Sequence, residues 1–141
     1  MDEFARRSNA IEECYEFMLA YAAQGLPGDA GSQSGGELRG YLKRAVDALT
    51  GLSATASAIV GMAAAAAADD RYEAFLTVLD RDAEAALAAV RLVEAQPSIS
   101  SQLIDNLNAS IHLRALLTDL FLLDEILRPR PADARPADAR S

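Results

Sequence analysis

Residues 38–63, LRGYLKRAVDALTGLSATASAIVGMA, decide how the chain is to be read. Leu38, Leu42, Ala45, Leu49, Leu52, Ala56, Ile59 and Ala63 follow one another at alternating steps of four and three. An α-helix turns once in about 3.6 residues, so this spacing keeps one apolar stripe on one side of a long rod. The stripe passes Gly51 without losing phase. That predicts Gly51 inside an uninterrupted helix over residues 37–68, which at 1.5 Å per residue would be roughly 48 Å long.

Upstream, residues 2–24 carry Phe4, Ile11, Tyr15, Met18 and Ala22 on one stripe, widened by Cys14, Phe17, Leu19 and Tyr21. Gly25 is placed as the left-handed residue after a helix, Leu26 as the apolar residue that folds back, and Pro27 as the block to continuation. Residues 27–36, PGDAGSQSGG, read as a glycine-rich loop longer than a bundle turn requires. Downstream, Asp69 and Asp70 mark a turn and can cap a helix over residues 70–95. There Tyr72, Leu76, Leu79, Ala83, Ala86, Val90 and Val93 repeat the four-three spacing. Pro97 ends it, and Ser98 or Ser100 caps a last helix over residues 99–127. The short connections imply antiparallel neighbours.

The expected fold is therefore all-α: one antiparallel four-helix bundle in residues 1–127 with a long second helix. Residues 128–141 follow it and contain Arg-Pro-Ala-Asp-Ala twice in tandem, from Arg130 and from Arg135. With several prolines and no large apolar residue, that segment reads as a disordered tail.

Composition agrees with this architecture. Half the residues are apolar (51%), alanine and leucine dominate, and tryptophan is absent, which favours helix over sheet. The net charge of −8 argues against wholesale binding to nucleic acid. The one cysteine, Cys14, cannot close an internal disulfide, so a reducing, cytoplasmic setting is expected. No secretory signal and no run of about 18 apolar residues is visible, so no transmembrane segment is expected. Lys43 is the only lysine among the basic residues; with the many alanines this suggests a GC-rich, bacterial genome.

The last helix breaks the pattern. Ile104, Leu107 and Ile111 occupy one side, whereas Leu113, Leu116, Leu117, Leu120, Leu123 and Leu127 occupy another. Ala115, Leu122 and Ile126 add a further strip. A helix apolar on several sides is either central to a core or shared with another chain. The second explanation makes Leu122, Ile126, Ala115, Ile111 and Ile104 candidate partner-interface residues. Asn106, Ser110 and Asp124 fall on the leucine seam. They are expected near bundle ends or as register-setting polar groups, the alternative being a polar pocket.

Candidate chemistry is thin. A di-iron site needs paired Glu-x-x-His motifs, and the only histidine, His112, is preceded three residues earlier by Ala109; no metal is expected. Phosphotransfer lacks its His-x-x-Lys-Gly arrangement. Cys14 has only His112 as a possible base and reads as a buried structural thiol. Gly31 to Gly36 lead into Arg39, Lys43 and Arg44, a possible patch for an anion or an acidic partner. The P-loop spacing is absent, and Glu37 is negative where an anion would arrive.

With no catalytic, cofactor or metal residues identified, the expected function is that of a non-catalytic interaction protein, an accessory subunit, adaptor or chaperone. It would act as a homodimer through the last helix or within a larger complex. The alternative is a helical bundle that binds a small hydrophobic or anionic ligand.

Overall fold

The computed structural model describes residues 2–127; the expected tail at 128–141 lies outside them. The described residues are all-helical, with α1 Asp2–Ala23, α2 Gln33–Thr50, α3 Leu52–Ala67, α4 Arg71–Glu94, α5 Ser101–Ala109 and α6 Ile111–Leu127. Six helices stand where four were expected, because two of the expected helices are each broken once.

The first break corrects the reading of Gly51. Helices α2 and α3 meet there at a 44° bend. Arg7 of α1 lays its guanidinium across the break and donates to the carbonyls of Asp47 and Ala48, both at 3.0 Å. A Cβ at residue 51 would lie 2.5 Å from that guanidinium, so Gly51 leaves the room the arginine occupies. The seam nevertheless keeps its phase across the bend: Leu38, Leu42, Ala45, Leu49, Leu52 and Ala56 are all buried.

The second break is at Ser110, whose extended backbone (φ −66°, ψ 138°) separates α5 from α6. Its hydroxyl donates to the Leu107 carbonyl at 2.6 Å, the local competition with helical bonding that serine offers. The break re-phases the chain. Helix α5 buries Ile104 and Leu107, and α6 buries Leu113, Leu116, Leu117, Leu120 and Leu123. The change of apolar side seen in the sequence is this change of helix.

Helix α2 also begins four residues before Glu37, through Gly35 and Gly36. Ser32 caps it by accepting from the Gly35 amide at 3.0 Å. Gly35 is buried so close to the Asp29 backbone that a Cβ there would collide with the Asp29 carbonyl oxygen. Poor helix propensity is overridden by a cap and a contact that only glycine permits. Other ends follow their local signals. Gly25 takes φ +67° after α1, and Ser100 caps α5 by accepting from Leu103 at 3.0 Å. The turn before α4 uses Asp69, which accepts from the Arg71 amide at 3.0 Å, while Asp70 makes no capping bond.

Named contacts define three helix pairs, of which α1–α2 and α4–α6 run antiparallel. Helix α1 lies against α2, with Arg7 at Asp47 and Phe17 stacked on Tyr41 at 4.4 Å. It also lies against α5, with the Tyr21 carbonyl accepting from the Ser101 hydroxyl at 2.6 Å. Helices α4 and α6 pair so that Tyr72 and Phe75 share a cleft with Leu123 and Ile126. The core between them is aliphatic, with Phe4 and Tyr21 its largest buried aromatics.

A polar lock closes one end of the fold. Arg39 binds Asp29 through Nε at 2.8 Å and Nη2 at 3.4 Å, and donates to the carbonyls of Glu94 (2.9 Å), the last residue of α4, and Gln96 (2.8 Å), just past it. Asp29 also accepts from the Ile99 amide at 2.7 Å, and the Tyr21 hydroxyl donates to the Ile99 carbonyl at 2.8 Å. Loop 24–32, loop 95–100 and the start of α2 are thus joined by one arginine and one aspartate.

Candidate interaction surface

The candidate interface residues separate into two groups. Ile111, Leu122 and Ile126 of α6 are 62%, 48% and 53% exposed, and Ala115 is half-buried between them. At about 100° per residue these four span about 60° of the helix circumference. They form one continuous strip opposite the leucines that α6 buries. Ile104 does not belong to it: it lies on α5, fully buried in the core, because the break at Ser110 turns the α5 apolar face inward. Phe121, 52% exposed, was not singled out in the sequence. It lines a groove of about 380 Å³ between α1 and α6 with Tyr15, Leu19, Leu117, Glu12, Glu16 and Arg114. Its spacing of one residue from Leu122 carried no signal until the helix phase was known.

The basic patch does not assemble. Arg39 is consumed by Asp29 and by the two carbonyls at the C-terminal end of α4, and pairing with Asp29 raises its pKa. Arg44 is exposed and rests over the Tyr41 ring, 4.5 Å from its centroid. Lys43 is exposed. The loop that leads into α2 already holds the Asp29 carboxylate, so neither charge nor geometry there favours an incoming anion.

The polar residues expected on the last seam are likewise redistributed. Asn106 is exposed, Ser110 sits at the break, and Asp124 is half-buried. The buried polar side chains of this stretch are Ser101, Asn108 and Asp119. Asp119 lies in the α4–α6 seam, 7% exposed, with its Oδ2 buried and without a hydrogen-bond partner. Burial pushes its carboxyl up to about 7, helped by a hydrogen bond to Asp82 of α4 and by that residue's charge.

Cys14 is buried, and burial pushes its thiol up to about 12 against the pull of Arg44. Thiolate chemistry at neutral pH is closed to it. His112 is exposed on the first turn of α6. Among the described residues no three His, Cys, Asp or Glu side chains converge as metal ligands. No single helix there is long and apolar enough to cross a membrane.

Comparison with known proteins finds no matching family model, no matching curated sequence and no matching solved structure.

Proposed function

We propose that this chain is a non-catalytic helical protein that acts through protein–protein contact, with the outer strip of α6 as its docking face and a second copy as the occupant. The observation that carries the reading is the exposure of Ile111, Leu122 and Ile126 on a helix whose opposite side is already buried. Exposed aliphatics arranged as one strip mark contact surfaces more than scattered ones do. The strip is also self-complementary: with two α6 helices antiparallel about a two-fold axis, Ile111 of each copy faces Leu122 of the other, and Ala115 faces Thr118. The wider reading as an accessory subunit, adaptor or chaperone of a larger complex, in a cytoplasmic setting, rests on the same strip and on the single buried thiol.

Sedimentation equilibrium tests the proposal. The wild type is expected to be a dimer, and Leu122→Asp or Ile126→Asp a monomer with unchanged helicity and melting temperature. A wild type that stays monomeric at every concentration overturns self-association.

A second reading, binding of a small apolar ligand, is favoured by one feature. Tyr72, Phe75, Leu123 and Ile126 line a cleft of about 320 Å³ at one end of α4 and α6, with Asp69 and Arg71 at its mouth. A thermal-shift screen of apolar metabolites tests it; no stabilisation by any of them counts against it.

A further inference from the structure

We propose that Asp119 and Asp82 form a proton-sharing latch that seats α6 on α4 and thereby regulates the outer α6 face. The seating of the helix is independent of the function proposed above; its effect on association rests on that reading.

Asp119 of α6 is 7% exposed with its Oδ2 buried and without a hydrogen-bond partner, and Asp82 of α4 is the group it interacts with across the α4–α6 seam. Two carboxyl groups can hydrogen-bond only when one is protonated, and two carboxylates in a seam repel each other while each loses hydration. Among the described residues Asp119 has no cation beside it: its Oδ2 has no partner, and the charged group that perturbs it is Asp82. The helix that carries it is not continuous with α5, because Ser110 interrupts the rod at the start of α6 with an extended residue.

The other charged groups around α6 lie elsewhere. On α4, Asp80 is two residues from Asp82, about 160° round the helix, and Arg81 and Glu84 are exposed. From α1, Glu12 and Glu16 face the groove that holds Arg114, on the opposite flank of α6. On α5, Asp105 is exposed. On α6 itself, Asp124 and Glu125 point to other flanks. His112 lies on the same flank as Asp119, two turns earlier, about 10 Å along the axis.

Asp119 also borders the docking strip. Seven residues separate it from Ile126, which places the two about 20° apart around the helix. A shared proton leaves the pair with one negative charge, keeps Asp119 itself neutral and holds the seam closed. Loss of the proton adds a second charge, on Asp119 beside the strip, and loosens α6 from α4. Protonation, seating and association are therefore linked with one sign. Because one proton per chain, and so two per dimer, is involved, the monomer–monomer dissociation constant rises at most about a hundredfold per pH unit.

The test is hydrogen exchange of the full-length protein between pH 5.5 and 8.5, corrected for intrinsic rates, with sedimentation equilibrium at the same pH values. In the wild type, protection of the α6 amides is expected to fall with rising pH. In Asp119→Asn it is expected to be flat, and His112→Gln, which removes the only imidazole, is expected to behave as wild type. If Asp119→Asn does not fold, Asp82→Asn removes the other member of the pair and is expected to weaken the dependence and shift it to lower pH, burial of Asp119 keeping part of it. Wild-type α6 protection that ignores pH, or a pH dependence that survives loss of Asp119 or follows His112, overturns the latch. Absence of dimers at every pH, with α6 protection still following the pair, overturns the interface reading and the regulatory coupling but leaves the latch standing.

Discussion

Replacing Arg39 with alanine is the sharpest test of how this fold is held together. The side chain makes four polar contacts, two to Asp29 and two to the carbonyls of Glu94 and Gln96. Charge-assisted bonds of this kind are strong when buried, but the Arg39 side chain is 35% exposed and that of Asp29 14%. With solvent screening allowed for, each contact is worth about 0.5–1 kcal/mol, or about 2–4 kcal/mol in all. For a domain of this size that lowers the melting temperature by about 6–20 °C. The Asp29 carboxyl is held below the usual carboxylate range, chiefly by its bond to Arg39. Its share of the stabilisation is therefore complete above the ordinary carboxylate pKa and is lost as pH falls through the lowered value. The gap between wild type and Arg39→Ala should be constant from pH 5 to 8 and should narrow on strong acidification. Arg39→Lys should recover less than half, because an ammonium cannot reach Asp29 and two carbonyls as a fork does. Thermal unfolding followed by circular dichroism across pH measures all three quantities. A loss below about 2 °C (under 1 kcal/mol), or full rescue by lysine, would refute the account of the lock.

Three further predictions rest on different parts of the fold. Gly35→Ala should destabilise by about 1–3 kcal/mol through its collision with the Asp29 backbone, whereas Gly36→Ala, with open space around it, should stabilise by about 0.5–1 kcal/mol; urea titration of the pair separates packing from propensity. Ala68→Gly should stabilise by about 0.5–1 kcal/mol, because Ala68 holds a left-handed φ of 52° that only glycine takes without cost, and a loss in the same titration would contradict this. For Asp119 the sign is opposite to that of Asp29. Below its ordinary value of 3.8 both folded and unfolded states are protonated; between there and about 7 only the folded state keeps the proton, so stability falls as pH rises, and above that the loss is complete. Asp119→Asn should therefore gain on the wild type by up to about 4 kcal/mol between pH 4 and 8, and a pH-independent difference in unfolding free energy would dispose of the idea.

What the sequence made legible was governed by neighbours in the chain. Gly25, Ser100 and the four-three stripe on residues 38–63 act within a turn or two of themselves, and each does what its local chemistry implies. The features that escaped depend on contacts made at a distance. Gly51 looks harmless in the stripe because the group that exploits it, Arg7, lies about forty residues away. Gly35 and Gly36 read as loop because the Asp29 backbone that Gly35 packs against cannot be seen from propensity. Arg39 looked like one of three clustered cations, yet its partners sit ten residues back and more than fifty ahead. A basic residue close to others in sequence is free for a ligand only if the fold leaves it unpaired, and here the fold claims the one nearest the loop.

The last helix teaches a narrower point about surplus apolar surface. Read as one rod over residues 99–127, it carried apolar residues on more sides than a single bundle position can bury. That surplus had two sources. One part was an artefact of assumed continuity: once Ser110 breaks the rod, Ile104 and Leu107 turn into the core on α5, and the seam polar groups become Asn108 and Asp119 in place of Asn106 and Asp124. The other part survives the correction, since Ile111, Leu122 and Ile126 remain about half exposed or more on α6. A break can re-phase a helix but cannot bury a third side of it. The residues still exposed after re-phasing are therefore the ones on which the case for a partner rests, and Asp119, at their edge and in the seam, is the only one of the two buried acceptors there that can change its charge.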